Sequence, residues 1–353
     1  MLKVCLLGVT LPVTLDLLDN INMVEPNAIC EQWIREGHSI ITNFALNEYS
    51  KTLPICDAVL IPNQLSISWQ EQSFGYIKPE TERAIEAISL LPLHVPVFYL
   101  LNDPRPRFAE LMLELQRLTN RKLIAISAGQ ADRVRDSAGM SFSDVLTEYD
   151  YQLLSGQAFP HSFTTRQDTV QSEHDLLMQG TQLSLARITE IKHWTSKLTN
   201  AVSWGPLDDA LPSITNNKLN ANGQELASAI SKSAGSLVLH TDWHIACNTP
   251  FTSRFWQALT YGSHLFMPEA NWQSFAQANA SGFTDKRATL FAVVSPEQLA
   301  NKISMYKQCP GYRALVQEQQ RSWYLELIAL LHTGDARLPS LNDMLATGAC
   351  IHD

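Results

Sequence analysis

The chain has no CxxC pair: its six cysteines, Cys5, Cys30, Cys56, Cys247, Cys309 and Cys350, are scattered singly along 353 residues. That spacing suggests neither a disulfide framework nor a zinc module, and free thiols in a cytoplasmic protein are expected. No GxGxxG follows the first apolar run, which argues against a dehydrogenase, and the absence of a Walker A loop, an HExxH or a GxSxG elbow removes the ATPase and hydrolase readings. No apolar run reaches the ~20 residues a membrane helix needs. The segment after Met1, LKVCLLGVTLPV, lacks a small-residue cleavage site and reads as a first strand, not a signal peptide. Charge is scarce as well: only 17% of residues are charged, and acids outnumber bases to a net −9. Such an acidic balance argues against broad, nonspecific affinity for nucleic acid, although a local basic groove stays open to it.

What the chain does have is apolar content, 45%, and enough length for two ordinary domains. Strand-like apolar runs alternate with helix-like periods. Strands are expected at Leu2–Gly8, Ser39–Phe44, Asp57–Pro62, Val95–Leu101 and Lys122–Ser127, with helices at Ile29–Glu36, Pro79–Leu90 and Phe108–Leu118 between them. After an aperiodic linker at Gln157–Ser172 the alternation resumes. Strands are expected at Leu176–Gly180, Val202–Gly205, Leu237–Leu239 and Leu265–Pro268, and helices at Ser184–Leu198, Glu225–Lys232, Ser253–Thr260 and Pro296–Lys307. The pattern predicts an α/β protein of two Rossmann-like, doubly wound domains facing a central cleft, residues 1–165 and 166–312. Residues 313–353 form a C-terminal helix and tail, the helix packing back toward the first domain and the tail from Gly334 loosely held.

Ligands of parallel sheets sit at the carboxyl ends of strands and at helix N-termini. Two segments have that placement. The run GSLVLHTDWHIACNTPFTSRFWQ opens on a strand and enters a helix whose first turn carries Arg254, with Gln257 one turn on; such an arginine forks onto a phosphate or is simply solvated. At the end of Val95–Leu101 comes Asn102-Asp103-Pro104-Arg105, where Asp103 is either a general base or a cap for the helix that follows. Glu25 lies in the loop after the first strand. The spacing of His240, Asp242 and His244 could place two imidazoles on one side of a strand for a metal, but the sequence points to no third ligand, and polar residues supplied at a strand end are the better account. The tryptophans Trp194, Trp204, Trp256, Trp272 and Trp323 read as core.

Taken in order, Tyr99-Leu100-Leu101-Asn102-Asp103-Pro104-Arg105, then Gly180, Thr181, Ser184 and Arg187, then Phe251-Thr252-Ser253-Arg254-Phe255-Trp256-Gln257 resemble three segments of one family. That family is the DNA β-glucosyltransferases of T-even-type bacteriophages, which have the two-domain GT-B fold. The resemblance is distributed over roughly residues 2 to 332. It implies transfer of a sugar, glucose above all, from a UDP-sugar to the hydroxymethyl group of a modified pyrimidine in double-stranded DNA, with inversion, in the cytoplasm of an infected bacterium. It assigns Asp103 as catalytic base. It assigns Gly180, Thr181, Ser184, Arg187, Arg254 and Gln257 to the UDP-sugar, with no metal needed for the fold. The acceptor and DNA side would hold Glu25, Asn63, Ser66, Gly75, Arg105, Arg107, Arg121 and Lys122. A monomer is expected, without membrane contact. Leu183 stands where the family has an arginine, and Gln257 where it has a glutamate. A transferase on a non-DNA acceptor, or a non-catalytic binding relative, is the alternative.

Overall fold

The computed structural model describes residues 1–7, 24–42, 52–62, 79–101, 107–127, 131–146, 152–156, 158, 172–179, 185–204, 214–217, 223–246, 252–278, 289–331 and 337–349. The chain divides into two compact units, residues 1–160 with 334–353, and residues 161–333. The sequence reading puts these joints at 165/166 and 312/313. Each unit is a six-stranded sheet with helices between the strands, the doubly wound α/β arrangement that the alternation predicts.

Unit 1 runs β1 (Lys3–Leu6), α1 (Val24–Arg35), β2 (Ser39–Ile41), β3 (Ala58–Ile61), α2 (Pro79–Ser89), β4 (Val97–Leu101), α3 (Arg107–Thr119), β5 (Leu123–Ser127), α4 (Phe142–Leu146) and β6 (Gln152–Ser155). Its strand order is β2-β1-β3-β4-β5-β6, every pair parallel, with Cys5 opposite Val59 and Tyr99 opposite Ala125. Successive side chains point to opposite faces, and both faces are covered, which is why these strands read as unbroken apolar runs. Cys5, Val59, Val97, Tyr99 and Leu123 pack with Ile88 of α2 and Met112 and Leu115 of α3. Val4, Leu60, Phe98 and Ile124 pack with Ala28 and Trp33 of α1.

That second face is completed from the far end of the chain. Leu338, Leu341 and Met344, in and just before helix α12 (Leu341–Ala349), are fully buried in the same cluster. The loosely held tail expected after Gly334 is therefore corrected for residues 337–349, whose apolar side chains cover sheet that would otherwise be exposed. Polar ties fix the register: Gln32 Nε2 donates to Leu338 O at 3.1 Å, and the Leu341 N–H donates to Glu36 Oε2 at 3.0 Å. The approach is close. A Cβ on Gly156, just past β6, would lie 2.6 Å from Leu338 Cα, so only glycine admits the segment.

Unit 2 contains β7 (His174–Gln179), α5 (Leu185–Thr195), β8 (Ala201–Trp204), β9 (Ile214–Asn217), α6 (Gly223–Lys232), β10 (Ser233–Leu237), α7 (Asp242–Ala246), α8 (Ser253–Thr260), β11 (Leu265–Pro268), α9 (Glu269–Ala278), β12 (Ala292–Val293), α10 (Pro296–Gln308) and α11 (Pro310–Leu331). The order is β12-β11-β10-β7-β8-β9, again parallel throughout. The central strand differs from expectation. It is Ser233-Ala-Gly-Ser-Leu237, small and entirely buried, and Val238–Leu239 continue past its end. A Cβ on Gly235 would fall 2.4 Å from the Phe266 ring of β11, so small residues let the neighbouring strand's aromatics lie across this one.

Helix α11 belongs to this unit. Gln320 accepts from the Leu265 N–H at 3.0 Å and donates to Leu265 O at 2.8 Å, while Arg313 donates to Ser172 Oγ and Ser233 O. Trp272, Phe291 and Trp323 form one buried aromatic cluster, and Trp194 is buried as well, as core tryptophans should be. The side chains of Trp204 and Trp256 lie outside the described residues. No described helix is long and apolar enough to cross a membrane.

Candidate anion-binding site

The main chain leaving the carboxyl end of β10 carries two carbonyls, Leu239 O and His240 O, on which two guanidiniums converge. Arg187, two residues into α5, donates from Nη2 to Leu239 O at 2.5 Å and from Nη1 to His240 O at 3.4 Å. Arg254, in the first turn of α8, donates from Nη1 to Leu239 O at 3.4 Å. The topology makes this meeting, because β10 is central, with β7 and β11 on either side; α5 follows β7, and α8 precedes β11. Both helices therefore begin at the sheet edge where β10 ends.

The charges are unequally matched. Arg187 is buried and paired with Glu190, Nη1 to Oε2 at 3.0 Å. Arg254 is half-buried, and among the described residues it has no carboxylate partner. Burial, then the repulsion of Arg187, pushes the Arg254 guanidinium down to about 10. Burial, then Arg254 and Arg187, pushes His240 down to about 3, so its ring is neutral at ordinary pH. His244 stands edge to face with that ring at 5.8 Å, and its Nδ1 is 2.5 Å from Thr241 Oγ1. Gln257, one turn along α8 from Arg254, is buried. Among the described residues no group of three His, Cys, Asp or Glu is arranged to hold a metal ion, so the His240, Asp242 and His244 triplet gains no third partner there.

Two cations thus share a carbonyl beside the N-terminus of an α-helix, with one carboxylate between them. Among the described residues positive charge exceeds negative there, and one buried and one half-buried guanidinium at a sheet edge suit an anion with several oxygens, such as a diphosphate.

The remaining predicted residues fall differently. Asp103 and Arg105, in the connection from β4 to α3, lie outside the described residues, as do Asn63, Ser66, Gly75, Gly180, Thr181, Leu183 and Ser184. Arg107 is the first residue of α3. Glu25, expected in a loop, is in the first turn of α1 because the helix begins at Val24, ahead of Pro26.

Arg121 is not an open nucleic-acid contact. Its buried guanidinium donates to the carbonyls of Leu91, Pro92, Leu93 and Val95 at 2.5, 2.7, 3.3 and 2.8 Å, tying the turn before β4 to the turn before β5. Arg121 and Lys122 also precede β5, which puts them at the amino ends of the unit 1 strands, opposite the edge where ligands bind. A groove there is lined by Leu2, Asp57, Leu93, Arg121, Lys122 and Gln152.

Sequence reasoning found Arg187 and Arg254, quoted Thr252, the N-cap of α8, without giving it a role, and read His240 as a polar residue of a strand end in preference to a metal ligand. The cue for Thr252 was present, as threonine before a helix is a capping signal.

No protein-family model and no curated protein matches the chain. Solved structures do. The chain is similar to "the DNA modifying enzyme beta-glucosyltransferase", solved in the presence and absence of uridine diphosphoglucose, at 13% identity and a TM-score of 0.52 over 94% of this chain and 98% of that one. The T4 phage enzyme in complex with UDP-glucose gives the same values. An alpha-glucosyltransferase in complex with UDP and a 13-mer DNA aligns at 9% identity and a TM-score of 0.56 over 93% of this chain and 95% of that one. At such identities the likeness is one of fold.

Proposed function

We propose that the chain is a UDP-sugar-dependent glycosyltransferase that acts on DNA, moving a sugar, glucose first among candidates, to the hydroxymethyl group of a modified pyrimidine with inversion. The observation that carries the reading is the pair Arg187 and Arg254 converging on Leu239 O beside the start of α8, with Arg254 having no carboxylate partner among the described residues. The fold is that of enzymes whose solved complexes hold UDP-glucose, UDP and DNA, and this supports the same donor and polymer here.

In the proposed reaction Asp103 takes the proton of the acceptor hydroxyl as its oxygen attacks the anomeric carbon from the face opposite the diphosphate. The bond from that carbon to the β-phosphate oxygen breaks, and its electron pair leaves with UDP. The charge gathering on UDP is met by Arg187 and Arg254, fixed before the reaction and needing little reorganisation. Gly180, Thr181, Ser184 and Gln257 complete the donor site. Glu25, Asn63, Ser66, Gly75, Arg105 and Arg107 remain proposed for the acceptor side. Arg121 is dropped from it and Lys122 with it, for their place at the opposite sheet edge. Domain limits near 165 and 312 and a monomeric state also stand as proposals. Gln257 in place of an acid leaves the ribose contact without a charge, and a UDP-sugar other than UDP-glucose is compatible with it.

A second reading, a non-DNA acceptor, is favoured by the net charge of −9. The test offers radiolabelled UDP-glucose to the protein with hydroxymethylcytosine duplex, unmodified duplex or small hydroxylated acceptors. Label is expected in the modified duplex alone, and Asp103→Ala should bind UDP normally while turning over at least ~10²-fold more slowly. Label confined to small acceptors would select the second reading. UDP bound without release of sugar to any acceptor would leave a binding protein.

A further inference from the structure

Helices α10 and α8 of unit 2 each have a hydroxyl residue at the N-cap position, and the two behave differently. At the start of α10, Ser295 has extended dihedrals, φ −155 and ψ 159, and its Oγ accepts from the Gln298 N–H at 3.2 Å, as an N-cap serine should. At the start of α8, Thr252 has a similar extended backbone, φ −96 and ψ 164, yet its hydroxyl caps nothing. The Phe255 N–H, which the hydroxyl would ordinarily receive, goes instead to the Thr252 carbonyl at 2.9 Å. Thr252 is 4% exposed, and its Oγ1 has no hydrogen-bond partner among the described residues. Leaving such a group unmet costs about 1–3 kcal/mol. Helices do not need that cost, as α10 demonstrates within the same unit.

The place of this hydroxyl gives it a use. It precedes by two residues Arg254, which has no carboxylate partner among the described residues, at the N-terminal, electropositive end of α8. Arg187, by contrast, is paired with Glu190. A buried hydroxyl without an acceptor among the described residues, two residues before such a guanidinium, suits an incoming anionic acceptor.

We infer that Thr252 is a further ligand of the bound diphosphate, its Oγ donating to a phosphoryl oxygen held at the start of α8 by Arg254 and Arg187. The inference rests on the donor-site reading given above. Rotation about the threonine Cα–Cβ bond exchanges hydroxyl and methyl within one volume, so the side chain can turn its O–H to the ligand without moving the helix. Before the ligand arrives the cap is spent on nothing, and afterwards it is spent on the phosphate. The site is therefore specific for a phosphoryl group rather than for any uridine.

The experiment uses the full chain as wild type, Thr252→Val, which keeps the shape and removes the O–H, and Thr252→Ser, which keeps the O–H. Each is titrated calorimetrically with UDP, inorganic pyrophosphate and uridine, and each is melted without ligand. Thr252→Val should bind UDP and pyrophosphate about tenfold or more weakly, as expected for a lost hydrogen bond to a charged group, with uridine affinity unchanged. Thr252→Ser should stay within about threefold of wild type on the same reasoning. The unliganded valine variant should melt no lower than wild type, since it loses an unmet polar group.

A valine variant that binds UDP as wild type does overturns the inference and leaves the donor site standing. So does one that melts several degrees lower, because the hydroxyl then belongs to the fold; Thr252→Ala, read the same way, decides the case in which the valine packs badly. A wild type that binds neither UDP nor pyrophosphate removes the donor site itself, and the inference with it.

Discussion

Replacing Arg254 with methionine is expected to stabilise the protein and weaken its nucleotide binding at once. The guanidinium is held down to about 10 from an ordinary 12.5, first by burial and then by Arg187. That displacement corresponds to roughly 3 kcal/mol against the charged form at ~1.4 kcal/mol per pH unit. Solvent contact of a half-buried side chain screens part of it, leaving about 1–2 kcal/mol. Methionine fills similar space with a flexible apolar chain, and the hydrogen bond it forfeits, Nη1 to Leu239 O, is long at 3.4 Å. The melting transition of unit 2 should rise by roughly 2–8 °C, at ~2–4 °C per kcal/mol for a unit of this size. UDP, by contrast, should bind roughly 10- to 150-fold more weakly, the equivalent of about 1.5–3 kcal/mol for lost charge-assisted hydrogen bonds. Differential scanning calorimetry without ligand and isothermal titration with UDP read the two effects independently. A variant that melts lower and binds UDP unchanged would refute the reasoning, since Arg254 would then be a structural tie with no part in anion binding.

Arg121→Met should do the opposite, costing about 2–4 kcal/mol because four carbonyls lose their donor, with UDP affinity untouched; denaturation and titration of the same sample check it. His240, kept neutral down to about pH 3 by burial and by Arg254 and Arg187, makes stability depend on acid. The unfolded chain takes up this proton near pH 6.5 and the folded one near 3, so the contribution is whole above 6.5 and falls as pH drops, by up to ~1.4 kcal/mol per pH unit. His264, buried and lowered in the same direction, adds to the slope. Urea titrations at pH 7, 6 and 5 should give His240→Gln a loss smaller by about one proton, and an equal slope in the two proteins would count against the assignment. Gly156→Ala should push a Cβ into the backbone of Leu338 and cost about 2–4 kcal/mol, or release the C-terminal segment, which limited proteolysis after residue 333 would detect.

The sheet of unit 1 was legible because its strands are buried on both faces, and a run such as Val97–Leu101 has no other stable placement. The sheet of unit 2 was less so. Ser233–Leu237 reads as polar and small, and its burial is set by Phe266 on the next strand, which local pattern does not contain. Arg121 was misjudged for a related reason. A basic residue before a strand reads as surface, and only the carbonyls 26–30 residues earlier in the chain make it internal. The residues after Gly334 gave a polar impression, although Leu338, Leu341 and Met344 recur at helical spacing. Arg254 and Arg187 were found by their order along the chain, yet their meeting on one carbonyl, and the idle hydroxyl of Thr252, exist only once β10 is in place between β7 and β11.

The return of residues 337–349 to the first sheet has a consequence during synthesis. A ribosome makes residues 1–160, then all of 161–333, before the helix that closes the first sheet exists. At ~5–20 residues per second, the apolar side of β1, β3 and β4 waits on the order of ten to forty seconds for its cover. Until then the nascent first half is a natural client for chaperones, and a stall anywhere in the second half strands it in that state.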